Sequence, residues 1–575
     1  MKKVTVIFVL IGILGVAAYL FVSDSLSTPG FNPSNPRDTA MAPKAAETNL
    51  DLRPKLIKRI QQLVKKGSNG LYNLSIHEIA PDIINSELNV SGFLLSPDTT
   101  AWKELRRTQK LPASVFKITA KNVQIKGIGI KDLLEKDKID LKTIFISNPV
   151  IDVYQQSSSP SEKESGNLYD RLGKQIKHFA VNSITISNGT VITHSAENKI
   201  SRFNDINIHL SDILVDSTTR YDKSRFLFAK EAELSTKNFA KTTPDNMYDI
   251  RIASITVSAS KKTAIARNIS FHPKYSKQEF GKKAGFMKER YDLSIPSIEL
   301  ENLDWQSILQ DNKIVATDAV LNGAQLGIYL DRSLPEGKAK VNNFPSQLLM
   351  HLPMKINIAR LNAKNVDVIY EEFNPASGQT GRLYAENLNG EVRNITNIES
   401  VINKNHTATV TASGILMKGI PASLNFTFDL SRYQTGVFTA SLHAKSIEKE
   451  IINTVAQPLG MFNIKKGRAE KLEATVRGNV QSASGKVLLL YQDLHITPLE
   501  KDNKHPNKLE KRNFTSFLAN SLVIKNENPS GNKDPRRVDG SFTHDPHDSF
   551  FNLVWKTTFV GILKTIGAPE KLAYQ

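Results

Sequence analysis

The chain has 575 residues, no cysteine, and a formal net charge of +18 from 75 Lys and Arg against 57 Asp and Glu. Its length excludes a disulfide-stapled mini-protein, and the missing cysteine excludes both a disulfide framework and a lipidated N-terminal cysteine. The positive balance favours an anionic partner. Basic residues do not cluster with aromatics as they do in nucleic-acid modules, so an anionic membrane surface fits better than nucleic acid.

Val4–Val22 is a near-continuous apolar run, polar only at Thr5. It matches the roughly 20 residues a helix needs to cross a bilayer. Lys2 and Lys3 precede it, which predicts a cytoplasmic N-terminus and an exported remainder. A cleaved signal peptide is the alternative, with Ala17-Ala18 as the small-residue site. The run is longer than a signal peptide's apolar region and continues through Tyr19-Leu20-Phe21-Val22, which favours an anchor. Residues 23–49, punctuated by Pro29, Gly30, Pro33, Pro36 and Pro43, read as a linker. Residues 50–67 read as an amphipathic helix with Leu56, Ile57, Ile60, Leu63 and Val64 on one face. That helix either caps the end of a sheet or lies on the membrane beside the anchor.

From residue 70 to about 498 the pattern has period two, as in strands with one apolar face and one wet face. Leu74 and Ile76, Phe116 and Ile118, and Leu293 and Ile295 alternate with polar residues, as do Leu424, Phe426 and Phe428, Phe438 and Leu442, and Val487 and Leu489. A repeat is embedded in the pattern. Residues 116–154 align without gaps on 291–329, with Phe116 on Tyr291, Ile118 on Leu293, Val123 on Ile298 and Tyr154 on Tyr329. Upstream, LYNLSI (71–76) matches MYDIRI (247–252), and downstream ITISNGTV (184–191) echoes LNAKNVDV (361–368). These place one β unit at 70–240, a second at 247–400 and a carboxy-terminal β region at 401–497. Stacked β units build a continuous apolar face. That face either closes into sandwiches or stays open as a trough, and alternation alone does not separate the two.

The membrane span, the repeated strand-rich units and the segments GILMKGIPASLNFTFDL (414–430) and GRAEKLEATVRGNVQSASGKVLLLYQDLHI (467–496) resemble AsmA-like envelope proteins. The resemblance is most specific at Gly478, Gly485 and the Leu489-to-Leu494 stretch ending in Tyr-Gln-Asp-Leu. It implies a repeating β-groove anchored in the inner membrane and a role in phospholipid movement or outer-membrane assembly. It carries no catalytic constellation.

No catalytic motif is found: no Gly-x-Ser-x-Gly, no His-Glu-x-x-His and no phosphate loop. His544-Asp545-Pro546-His547-Asp548 has ligand-type residues, but Pro546 marks it as a turn, so neither metal nor cofactor is expected. Residues 498–548 read as a polar flexible segment. Residues 549–568 read as an amphipathic helix in which Phe551, Val554, Trp555, Phe559, Ile562, Leu563 and Ile566 form an apolar stripe opposite Lys556 and Lys564. That stripe either packs on the last sheet or contacts a membrane.

The expected protein is mainly β with a few short helices. A single N-terminal transmembrane helix precedes an elongated, curled antiparallel sheet of duplicated units, closed by a C-terminal amphipathic helix. The expected location is the bacterial inner membrane, with the bulk of the chain in the periplasm. Its expected partner is phospholipid, held by the larger residues of the alternating faces. The alternative is a scaffold assisting outer-membrane protein assembly through exposed sheet edges.

Overall fold

The computed structural model describes residues 53–574, except 69, 83, 109–113, 128–137, 156–177, 195–199, 220–221, 223, 227, 312, 503–508 and 512–523. The span Val4–Val22 and the linker 23–49 lie outside the described residues. Among the described residues no helix is long and apolar enough to cross a membrane. The protein is mainly β, with 60% strand and 18% helix. It divides into two compact units: residues up to Phe239 with Thr256–Lys261, and Ala240–Ile255 with Lys262–Gln575. The second unit thus joins what the sequence separates at residue 400.

In the first unit, helix α1 (Arg53–Gly67) precedes β1 (Tyr72–Asp82), β2 (Glu87–Pro97), α2 (Thr99–Arg107), β3 (Ser114–Lys126), β4 (Lys138–Ser147), β5 (Val150–Gln155), β6 (His178–His194), β7 (Ile200–Val215) and β8 (Ala229–Thr242). Strands β1, β2 and β3 pair antiparallel in sequence order. One half of β3 then pairs with β4 and the other half with β5. Strand β6 runs parallel to both, and β7 and β8 follow antiparallel. Helix α1 packs on this sheet: Ile57 and Ile60 lie against Ile79, Leu88 and Val90, and Gln61 Nε2 donates to the Leu74 carbonyl at 3.1 Å.

The second unit continues with β9 (Tyr248–Ser258), β10 (Thr263–Pro273), α3 (Lys277–Ala284), β11 (Arg290–Glu301), α4 (Trp305–Asp311), β12 (Lys313–Asn322), β13 (Gln325–Asp331), α5 (Pro345–Met350), β14 (Lys355–Asn374) and β15 (Gln379–Thr396). After them come α6 (Glu399–Ile402), β16 (Thr407–Leu416), β17 (Ile420–Asp429), β18 (Phe438–Glu448), α7 (Lys449–Gly460), β19 (Phe462–Gly478), β20 (Ser482–Lys501), β21 (Leu509–Lys511), β22 (Arg537–Thr543) and α8 (Phe550–Ile566). Its first strands repeat the same scheme. Strand β11 splits between β12 and β13, β14 runs parallel to both, and β15 and β16 return antiparallel. The two sequence segments that align, 116–154 and 291–329, therefore begin on equivalent strands and end on equivalent strands.

Backbone details repeat as well. Residues with positive φ stand at Gly92 and Asn268, Asn148 and Gly323, Asn188 and Asn365, and Asp205 and Asn387. Asn and Asp are the side chains that tolerate this region best. Bulges accompany them at Asn188 and Asn365. Tyr72 Oη accepts from the Phe116 N–H at 3.1 Å, and Tyr248 Oη accepts from the Tyr291 N–H at 3.3 Å. The Asn188 N–H donates to Asn207 Oδ1 at 3.0 Å, and the Asn365 N–H to Asn389 Oδ1 at 3.2 Å.

Two expectations change. The sheet is mixed, not antiparallel, because β4 and β5 lie end to end on one side of β3, and so do β12 and β13 on β11. To add the next strand the chain must travel back past both, and a return of that kind gives a parallel neighbour. In the second unit residues 332–354 make that return, carrying α5. The segment 498–548 is also not simply flexible. Strand β20 extends to Lys501, β21 pairs with its end, and β22 pairs with its body. The Asn528 side chain bonds the carbonyls of Leu489 and Arg536 at 2.6 and 3.1 Å.

Candidate functional site

Directly paired residues share a sheet face, and so do residues two apart on a strand. The register of the second unit therefore defines rows. One row runs Ala266, Ile298, Leu321, Ala363, Gly390, Ala412, Leu424, Leu442, Ala474, Val487 and Val538. Beside it runs Ala264, Leu300, Ala319, Leu361, Val392, Val410, Phe426, Ala440, Val476, Gly485 and Gly540. Neither row contains a polar side chain. At about 4.8 Å between strands, such a band measures about 48 Å. Between them, on the opposite face, Asn362, Glu391, Thr411, Asn425, Ser441, Thr475, Lys486 and Asp539 form a polar row from β14 to β22, which continues through Val320, Glu299 and Ile265 on β12, β11 and β10.

The sequence candidates fall into this arrangement unevenly. Leu424, Leu442 and Phe426 are half-buried members of the two rows. Leu293 belongs to a further apolar row with Phe271, Leu326, Val368, Ala385 and Leu416. Ile295 pairs with Ile269 beside it. Phe428, Phe438, Val487 and Leu489 are instead buried in the carboxy-terminal core with α8, so they line no open surface. In the first unit Leu74 and Ile118 share a row with Leu95 and Ile151, all four buried, while Ile76 and Phe116 are half-buried.

The first unit has equivalent rows: Leu88, Ile125, Ile144, Ile184, Leu210 and Ala232, and beside them Val90, Val123, Ile146, Ile186, Ile208 and Leu234. Where the first unit carries Leu88, Val90, Ile144, Ile186 and Ile208, the second carries Ala264, Ala266, Ala319, Ala363 and Gly390. These small residues lack the large alternating side chains that mark an apolar strand face in a sequence. Comparing the two repeats position by position would have exposed them.

At its far end the band runs beneath α8. Ser549 caps this helix, its hydroxyl accepting from the Asn552 N–H at 3.3 Å, and Gly567 ends it at φ 76°. Phe550, Leu553, Val560, Leu563 and Ile566 are buried, and Thr557, Thr558 and Thr565 return their hydroxyls to carbonyls four residues back. Helix and sheet touch through glycines: a Cβ on Gly561 would stand 2.4 Å from Val487 Cγ2, and one on Gly540 2.3 Å from the Thr557 carbonyl. The predicted stripe is thus divided. Leu563 and Ile566 face the sheet, Val554, Phe559 and Ile562 are half-buried, and Phe551 and Trp555 are exposed at 62% and 45%. The lysines do not face outward as the stripe predicted. Lys556 Nζ donates to the Ala573 carbonyl at 2.6 Å, and burial holds this ammonium below its ordinary pKa. Lys564 Nζ donates to the Asp539 carbonyl at 3.1 Å and pairs with Glu570 at 3.3 Å.

One margin of the face is charged. Arg332, on the return segment, contacts Glu372 at 2.6 Å and Asp548, just ahead of α8, at 3.2 Å. Burial opposes its charge, but the two carboxylates outweigh that and raise its pKa. Tyr370 donates to Glu372, and burial followed by that carboxylate pushes the phenol well above its usual range. The Lys340 N–H donates to the Pro546 carbonyl at 2.8 Å, and Asn343 Nδ2 to the Asp548 carbonyl at 3.2 Å. The return segment is in this way bound to the base of α8. Glu336, Asp545 and His547 bring ligand-type atoms within 4.8 Å of one another in the same seam. They are surface groups, and His547 is already bonded to Asp545 at 2.9 Å.

Comparison of the chain with protein-family models and with curated proteins finds no match.

Proposed function

We propose that this chain is an AsmA-like envelope protein, anchored in the inner membrane by Val4–Val22, whose curled sheet forms an apolar groove that binds and conducts phospholipid between envelope membranes. The observation that carries this reading is the double apolar row, half-buried from β10 to β18 except at Ala319 and Ala440, with small residues where the first unit has branched ones. A curled sheet turns such a face into a groove lining, and the small residues leave depth for a guest. Each methylene of an acyl chain withdrawn from water into such a lining contributes about 0.8 kcal/mol. The opposite face carries a polar row from β14 to β22, as a surface in the periplasm requires. The reading needs no catalytic group, metal or cofactor.

The test compares the full chain with Leu361→Glu. Phospholipid copurifying with each is quantified by mass spectrometry, and folding is checked by circular dichroism. The wild-type chain should carry lipid beyond the shell around its span, and the variant should lose that excess. Equal lipid in both would remove the groove. A folded chain carrying no excess lipid would favour the scaffold for outer-membrane protein assembly.

A further inference from the structure

The geometry points to the outward side of α8, Phe551 with Trp555 and Phe559, as the lip over which an acyl chain passes between the sheet and a bilayer; this rests on the lipid-binding reading above. Under the helix the band is closed to a guest. Ala474, Val476 and Val487 are buried there, and the Gly540 and Gly561 contacts leave no room even for a methyl group. A chain lying along the rows must therefore turn aside where α8 begins. At that point Phe426 meets Phe550 at 5.9 Å and Phe551 at 6.3 Å between ring centroids. Phe426 is the half-buried row member paired with Val410, and the row continues from there to Val392 and Leu361. One turn further along the helix, Trp555 stacks on Phe559 at 5.6 Å. The half-exposed band is therefore continuous with an aromatic patch in which Phe551 and Trp555 are exposed and Phe559 is half-buried.

The chemistry of that patch selects its occupant. Lys556 and Lys564, the cations of the helix, are committed to the Ala573 and Asp539 carbonyls and to Glu570, so the lip offers no charge to an acidic protein or a free headgroup. Tryptophan and phenylalanine with no cation among them suit the boundary between headgroups and acyl chains. The lip is accordingly a contact with the acyl region of a bilayer, through which lipid is loaded or released.

The full chain is reconstituted into donor vesicles of phosphatidylethanolamine and phosphatidylglycerol, and transfer of a fluorescent phosphatidylethanolamine to acceptor vesicles is followed in time. Phe551→Ser with Trp555→Ser should slow transfer about tenfold, while melting temperature and lipid held per chain stay at wild-type values. Trp555→Phe alone should retain most of the rate. An unchanged transfer rate in the double variant, with Leu361→Glu still devoid of lipid, would overturn the lip and leave the groove standing. Lipid retained by Leu361→Glu would overturn both. A double variant with a collapsed melting temperature would overturn the lip, since these rings would then be core.

Discussion

The two units use one backbone plan and fill it with different side chains. Ile184 and Ile186 in β6 are 4% and 1% exposed, whereas Leu361 and Ala363, at the same places in β14, are only half-buried. Pairing order, parallel return and left-handed positions agree between the copies, so backbone topology does not decide how tightly the apolar face is closed. Side-chain volume differs at several of these places, branched in one copy and alanine or glycine in the other, and α1 covers Leu88 and Val90 in the first unit. The carboxy-terminal end supplies a third condition, in which small residues are used again but a helix fills the space they leave. The same kind of row is thus buried over much of its length in the first unit, where α1 lies on Leu88 and Val90, and sealed by α8 at the carboxy-terminal end. From β10 to β18 in the second unit it is half-buried except at Ala319 and Ala440.

Putting a carboxylate into each version should separate them most strongly. Ile184→Asp buries an unpaired charge and should lower stability by about 4 kcal/mol or more, while Leu361→Asp, half-buried, should lower it by about half as much. Denaturant titration of both variants measures the difference, and equal losses would erase the contrast between the copies. The sealed end can be tested by volume. Gly561→Leu should cost about 1–3 kcal/mol because its side chain must displace Val487, and limited proteolysis around Thr543–Ser549 should accelerate. Ala412→Leu, in the half-exposed part of the same band, should cost less than about 1 kcal/mol. If both substitutions cost the same, α8 is not packed as tightly as its glycines indicate.

A smaller effect tests the agreement between the copies. Tyr72→Phe and Tyr248→Phe each remove a hydroxyl acceptor from a strand N–H, and each should cost about 1 kcal/mol. A loss in one copy only, measured by thermal unfolding, would show that the shared hydrogen bond does not do the same task in both. The gentlest change converts the open face towards the closed one. Ala266→Val with Ala363→Ile carries the first unit's residues into the second, and stability should move by no more than about 1 kcal/mol in either direction. Lipid held per chain should fall, since the substituted methyl groups occupy the depth a guest would use. A double variant that holds as much lipid as wild type would mean that depth at these positions is irrelevant.

Alternation in the sequence determined the β class, the repeat and the side of each strand that carries apolar residues. These follow from local rules: period two fixes the face, and Asn, Asp and Gly mark the left-handed turns. Even the match of 116–154 to 291–329 was visible, because equivalent strands need the same spacing between their turns. Tertiary structure alone decided the rest. That β4 and β5 share one flank of β3 depends on pairings distant in sequence, so the parallel β6 could not be read from any window. The stripe on α8 was legible as apolar, but which of its sides meets the sheet was not. Its buried contact runs through Gly561, Thr557 and Thr565, which hydropathy scores as indifferent and close packing selects because they are small. Phe551 and Trp555, two of its bulkiest members, stand outside for the complementary reason that the glycine-to-glycine approach leaves no volume for them.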